Sequence, residues 1–238
     1  MIASGGKSVY GAKVGILMLE AQFPRILGDM GNALTWGFPV HYKVVRGASP
    51  DRVVRQGAIG LFDNFVTAGQ ELVADGVELI TTNCGFLSLF QEDLAAALDV
   101  PVATSSMMQA AQIQAMLPPS KKVGILTISI ETLTQKHLSA AGVPDGTPIA
   151  GVAPNCEFQR VILNNELNLD VEQAEADMVA AAKAFYADYP DLGALLFECT
   201  NMPPYAAAVR AATGLQVFSI VDFVNWFQGS TNGMPSNS

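Results

Sequence analysis

The sequence predicts an α/β protein made of two parallel-sheet α/β lobes, related by a pseudo-two-fold axis, with an active site in the cleft between them. Three observations predict it. Lys13-Val14-Gly15-Ile16-Leu17 returns letter for letter as Lys122-Val123-Gly124-Ile125-Leu126. The apolar stretch that ends in Asn83-Cys84-Gly85 is matched by a second that ends in Glu198-Cys199-Thr200. Ala96-Ala97-Leu98-Asp99-Val100-Pro101-Val102 is answered by Ala211-Ala212-Thr213-Gly214-Leu215-Gln216-Val217. Each half therefore reads as strand, long excursion, strand with cysteine, helix, strand, which is two copies of one unit. In open parallel sheets the crevice beyond the carboxyl ends of the strands is where ligands bind. Two such units facing each other bring Cys84 and Cys199 to one cleft.

The elements follow from local pattern. Residues 1–10 form a weakly patterned lead-in. Gly5-Gly6-Lys7-Ser8 looks like the end of a phosphate loop, but Met1 stands where that loop needs its first glycine, and the strand comes after rather than before. A strand over 12–19 feeds a Gly- and Pro-rich segment, 20–50, expected to fold over the cleft as long functional loops do. Apolar residues at helical spacing, Val53, Val54, Ala58, Leu61, Phe62, Phe65 and Val66, predict one helix over 51–74. Strand 77–82, a helix to about 98 and strand 100–103 follow, and Thr104-Ser105-Ser106 offers an N-cap for a helix that Pro118-Pro119 ends. The second half reads as strand 122–128, helix 131–141, strand 149–152, helices 157–165 and 170–189, strand 192–197, a helix opened by Pro203-Pro204, strand 215–219 and helix 222–227, with a polar tail over 229–238 expected to be disordered.

Composition narrows the function. A net charge of -9 with only 13 Lys and Arg argues against nucleic acid or an anionic membrane as partner. No apolar run approaches the roughly 20 residues of a spanning helix. Three cysteines cannot make a complete disulfide framework, and no signal peptide precedes the first strand, so a reducing cytoplasm is the expected location. The two histidines, His41 and His137, lie outside any metal-ligand spacing, and neither a Gly-x-Ser-x-Gly elbow nor a Cys-x-x-Cys pair occurs. The expected metal and cofactor content is none.

The two strand-end cysteines carry the chemistry. A reaction that removes a proton from one face of a carbon and returns one to the other needs two acid–base groups on opposite sides. Thiols serve when a helix N-terminus lowers their pKa toward neutrality, and both cysteines precede a predicted helix. A free cysteine is commonly a small buried apolar residue. That reading suits Cys156, which has no counterpart in the repeat, whereas the duplicated position marks Cys84 and Cys199 as catalytic. Asn83, Thr127, Thr200 and Asn201, at predicted strand ends, suit the binding of a carboxylate and of the carbanion beside it. Arg25 and Arg46, in the long first loop, are the expected partners of an acidic substrate.

These residues resemble the aspartate/glutamate racemase superfamily over roughly 13–227, with Cys199-Thr200 and Pro203 similar to the Cys-Thr-x-x-Pro turn of that group. The superfamily includes hydantoin racemases, arylmalonate decarboxylase and maleate isomerase. Two departures stand out: Asn201 where glutamate racemases carry histidine and aspartate racemases glutamate, and Gly85 where many relatives have Asn-Thr. The resemblance implies a last strand and helix that cross back to the first half, hence lobes of 1–103 plus 217–238 and of 104–216. It also implies a cofactor-independent racemase or epimerase of a small carboxylate or amino-acid derivative, with a homo-oligomer as a possible assembly. Maleate isomerase relatives keep both cysteines and decarboxylase relatives only the second, so cis-trans isomerase and lyase stand as alternatives. A non-catalytic small-molecule binding protein is a third class.

Overall fold

The computed structural model describes residues 5–231, and the polar tail beyond Thr231 lies outside them. Two four-stranded sheets, all parallel, form the two lobes. In the first the order is β2 (Val40–Val45), β1 (Val14–Leu19), β3 (Leu79–Thr82), β4 (Val102–Ala103). In the second it is β6 (Ile149–Gly151), β5 (Lys122–Thr127), β7 (Leu192–Phe197), β8 (Gln216–Phe218). The repeated pentapeptides thus occupy equivalent central places, and the run of buried side chains along β1 and β5 is what a sheet covered on both faces requires.

The helices are α1 (Phe62–Asp75), α2 (Gln91–Ala97), α3 (Ala110–Met116), α4 (Gln135–Ala140), α5 (Glu157–Leu163), α6 (Val171–Asp188), α7 (Ala206–Thr213) and α8 (Ile220–Gly229). Two differences from the expected elements have clear causes. The helix expected over 51–74 is broken: a single wide turn, Asp51–Arg55, gives way to a loop in which Gly57, Ala58 and Gly60 all have positive φ, and α1 starts only at Phe62. The first loop contains β2, a half-exposed edge strand whose mixed Val-His-Tyr-Lys-Val-Val pattern hid it.

The boundary between lobes also falls differently from the expected 216/217. Strand β8 hydrogen-bonds to β7, so residues 217–218 belong to the second sheet, and the chain crosses back only at Ser219. Helix α8 then lays Ile220, Phe223 and Val224 against Val14, Ile16 and Leu79 of the first sheet. In exchange, α3, which follows β4 of the first sheet, packs Ala110 and Ile113 on Val123, Ile125 and Leu196 of the second. Ser106 Oγ donates to the Phe197 carbonyl (2.6 Å) and Gln109 Nε2 to the Ser219 carbonyl (3.0 Å), tying the two crossings together. A larger core runs continuously through both lobes and includes both strand-end cysteines.

The glycine of each pentapeptide marks where a helix lies closest to its sheet. A methyl group at Gly15 would meet Leu72 of α1 at 3.0 Å, and one at Gly124 would meet Leu192 at 2.6 Å and Phe185 of α6 at 2.8 Å. Overpacking of this kind costs about 1–3 kcal/mol. Gly124→Ala is therefore expected to lower the urea midpoint clearly and Gly15→Ala less; equal stability of Gly124→Ala and the parent protein would contradict the packing described for α6.

Candidate active site

Both cysteines end a buried central strand and begin a tight turn. Cys84 follows β3 and caps a 3-10 turn over Gly85–Phe90; Cys199 follows β7 and precedes a short turn over Pro203–Tyr205. Both are free and buried, at 8% and 7% exposure, and both line one narrow crevice. Its other walls are Leu19, Phe23, Val54, Phe86, Ile128, Ile162 and Leu163, together with Asn83, Thr200 and Asn201.

A further residue in this crevice is Glu198, which the sequence reasoning did not single out. Its side chain is 1% exposed. Oε2 accepts from Thr127 Oγ1 at 2.8 Å, and the Ile128 amide also serves the carboxylate. Oε1 has no protein partner. Burial pushes this carboxyl up to about 7. Gly85 makes room for it: a methyl group there would overlap Glu198 Oε1 and stand 2.5 Å from its carbonyl oxygen. The glycine that departs from the common superfamily turn is thus the space that a buried carboxylate fills. A charged residue closing the run Leu195-Leu196-Phe197 was the available signal.

Glu198 also changes the thiols. Burial pushes Cys84 up to about 12, with the Glu198 charge as the next cause, and the same two effects push Cys199 well above the ordinary range. The turn amides act as expected, since those of Phe86 and Leu87 face Cys84 and that of Asn201 faces Cys199, but desolvation outweighs them. The expected lowering of both thiols is therefore not what the crevice produces, because burial raises them instead.

The other anticipated residues divide. Asn83 accepts from the Leu19 amide through Oδ1 (2.7 Å), which leaves its Nδ2 without a partner. Thr200 Oγ1 donates to the Asn83 carbonyl at 2.5 Å, joining the two strand ends across the cleft. Asn201 accepts from the Cys199 thiol (3.6 Å) and donates to Asp29 (2.5 Å), whose other oxygen holds Arg25 at 3.0 Å. Arg25 thus stands behind the crevice, its guanidinium also lying over the Phe23 ring. Thr127 reaches the site through Glu198. Arg46 does not reach it: its side chain is 81% exposed, pairs with Glu20, and borders an open hollow beside α1. Cys156 is half-buried at the start of α5, outside the crevice. His137 is kept neutral by burial and caps α4 with Thr134. Among the described residues no cluster of His, Cys, Asp and Glu is arranged to hold a metal, and no helix is long and apolar enough to cross a membrane.

Comparison with known proteins narrows the setting. No family model matches the chain. Unliganded arylmalonate decarboxylase superposes with a TM-score of 0.59 at 13% identity, covering 94% of each chain. Glutamate racemase isoform RacE1 from Bacillus anthracis gives 0.62 at 15% identity, covering 92% of this chain and 81% of that one. The fold is that of the aspartate/glutamate racemase superfamily, with two facing lobes. Among curated proteins, dimethylsulfoniopropionate lyase from Durusdinium sp. clade D is 30% identical over 226 residues, 91% of this chain and 74% of that protein. Dimethylsulfoniopropionate lyase 7 from Emiliania huxleyi is 30% identical over 233 residues, 90% of this chain and 65% of its own length; for lyase 3 of that organism the chain spans 58%. The chain belongs to the dimethylsulfoniopropionate lyase family of enzymes.

The raised Glu198 carboxyl makes stability depend on pH. Between its ordinary value of 4.5 and about 7 the folded chain holds a proton that the unfolded chain has lost. Stability contributed by this group is therefore full below 4.5, falls as pH rises to 7, and is level above. At roughly 1.4 kcal/mol per pH unit the fall is about 3 kcal/mol. Glu20, Glu78 and Glu157, held below their ordinary values by hydrogen bonds, act below pH 4.5, outside this window, whereas His137, held below its ordinary 6.5 by burial, acts inside it with the opposite sign. Since His137 is common to both proteins, urea unfolding at pH 5 and pH 7.5 should show the parent losing stability relative to Glu198→Gln as pH rises; parallel pH profiles would refute the assignment.

Proposed function

We propose that this chain is a lyase that cleaves dimethylsulfoniopropionate, or a closely similar β-sulfonio carboxylate, by β-elimination. The observation that carries this is 30% identity over 91% of the chain to a curated dimethylsulfoniopropionate lyase. The crevice supports it with a thiol from each lobe and walls dry enough to strengthen every polar interaction inside.

The chemistry follows from the substrate. A base removes a proton from the carbon next to the carboxylate. The electron pair left behind forms the carbon–carbon double bond, and the carbon–sulfur pair leaves with dimethyl sulfide. The products are acrylate, dimethyl sulfide and the proton now on the base, so neither oxidant nor reductant is consumed. One base on one face suffices. Decarboxylase relatives in the superfamily keep only the second cysteine, which favours Cys199 as that base. In this reading Cys84 forms the opposite wall. The Asn83 Nδ2 and the Thr200 and Asn201 groups receive the carboxylate as it takes on enediolate character. Arg25 is a positioning residue that acts through Asp29 and Asn201. The positive sulfonium group itself favours the thiolate that burial and the Glu198 charge disfavour.

A two-base racemase or epimerase is the second reading, favoured by the equivalent strand ends that carry Cys84 and Cys199. The two readings separate in one experiment. With dimethylsulfoniopropionate, the protein should release dimethyl sulfide into the headspace. Cys199→Ala should lose roughly 100- to 10,000-fold in kcat, the usual worth of a general base, and Cys84→Ala far less. Absence of dimethyl sulfide, with α-deuterium entering an amino acid or hydantoin in heavy water and both variants equally inactive, would overturn the lyase in favour of the racemase.

A further inference from the structure

The two strand ends are equivalent in backbone but opposite in polarity. Leu19 and Ile128 occupy matching places after the repeated pentapeptides, and their amides serve the residues just before the two cysteines, Asn83 and Glu198 respectively. Each of those residues is buried, at 3% and 1% exposure, lines the crevice, and has one side-chain polar atom without a partner among the described residues. On the first lobe that atom is a donor, Asn83 Nδ2. On the second it is an acceptor, Glu198 Oε1. No Lys, Arg or His is among the described residues lining the crevice, and Glu198 has no salt-bridge partner among them. Arg25, the nearby cation, is already engaged by Asp29.

From this we propose that Glu198 is a cation subsite, and that the crevice is polarised to take a zwitterion with its carboxylate toward Asn83 and its positive end against Glu198. Such a site fits an onium group better than a primary amine. A buried carboxylate oxygen and apolar walls, Ile128, Ile162, Leu163 and Phe86, meet a charged centre clothed in methyl groups, which has no N–H to satisfy. A primary ammonium has three donors, and the crevice offers few acceptors beyond Glu198 Oε1. Gly85 ties the subsite to the opposite lobe, because only a residue without a side chain leaves Oε1 its place. The charged substrate would thereby bring the positive charge that Glu198 and both thiols lack, coupling recognition to the state of the sulfurs.

The proposal deepens the lyase reading, since it names what would hold the sulfonium, but its test is one of binding. Two probes of the same shape are used, the zwitterion 3-(trimethylammonio)propanoate and its carbon isostere 4,4-dimethylpentanoate, which keeps the carboxylate but lacks the positive charge, with calorimetry on the whole protein at pH 8. The parent protein should bind the cationic probe at least tenfold more tightly. Glu198→Gln should lose that preference by weakening the cationic probe tenfold or more while binding the tert-butyl probe at least as well as before, which also shows that the variant is folded. Equal affinity for the two probes in the parent protein, or an unchanged preference in Glu198→Gln, would overturn the subsite. If Glu198→Gln does not fold, the parent protein's preference between the two probes still decides. A cationic preference without release of dimethyl sulfide would sink the lyase reading alone; release without the preference would sink the subsite alone.

Discussion

Every strand in both sheets runs parallel, so all the strand ends of one sense collect on one edge of each lobe. That constraint organises the rest of the molecule. A parallel strand can be followed only by a crossover, which sends the helices to the faces and leaves the carboxyl edges to short turns. The crevice forms where the two edges meet, and it is lined by the residues that stop each strand: Asn83 and Cys84 after β3, Glu198 to Asn201 after β7, Leu19 and Ile128 after the two central strands. The thiols are buried because the strands that deliver them are buried.

Much of this was readable from the amino-acid sequence, and the part that was not has physical causes. The repeated pentapeptides sit at equivalent places because a strand covered on both faces must be apolar throughout and must have glycine where a helix lies close, so its pattern is unmistakable. Edge strand β2 has no such demand and was missed. The break at 57–60 was hidden because apolar spacing ran on through it, while the backbone turned left-handed at Gly57, Ala58 and Gly60. Pairing Cys84 with Cys199 needed only the repeat. Choosing between Arg25 and Arg46 needed three dimensions, since both lie in one loop and only Arg25 is folded inward onto Asp29. Glu198 was overlooked for a related reason: a glutamate before a turn usually faces water, and nothing short of the packing against Gly85 reveals that this one does not.

The approximate symmetry of the fold makes its departures informative. Two similar lobes would give two similar walls, and a symmetric reaction could use them as they are. Here the positions before the cysteines differ as amide and carboxyl, the turn after one cysteine is opened by glycine, and that glycine and that carboxyl occupy the same space. A change at one without the other would create either a clash or a void, so the pair behaves as a single unit of sequence although 113 positions separate them. The symmetric frame keeps the sulfurs, and the asymmetry gives the crevice a direction.

The exchange of helices between lobes bears on how the chain can be made. During synthesis the strands of the first sheet emerge early, and α1 can cover one of their faces at once. The opposite face, with Val14, Ile16 and Leu79, is closed by α8, which leaves the ribosome only after the strands of the second sheet. The sheet begun first is thus covered only after the second has been made, and until then its apolar face is open to chaperones, to neighbouring nascent chains, or to aggregation.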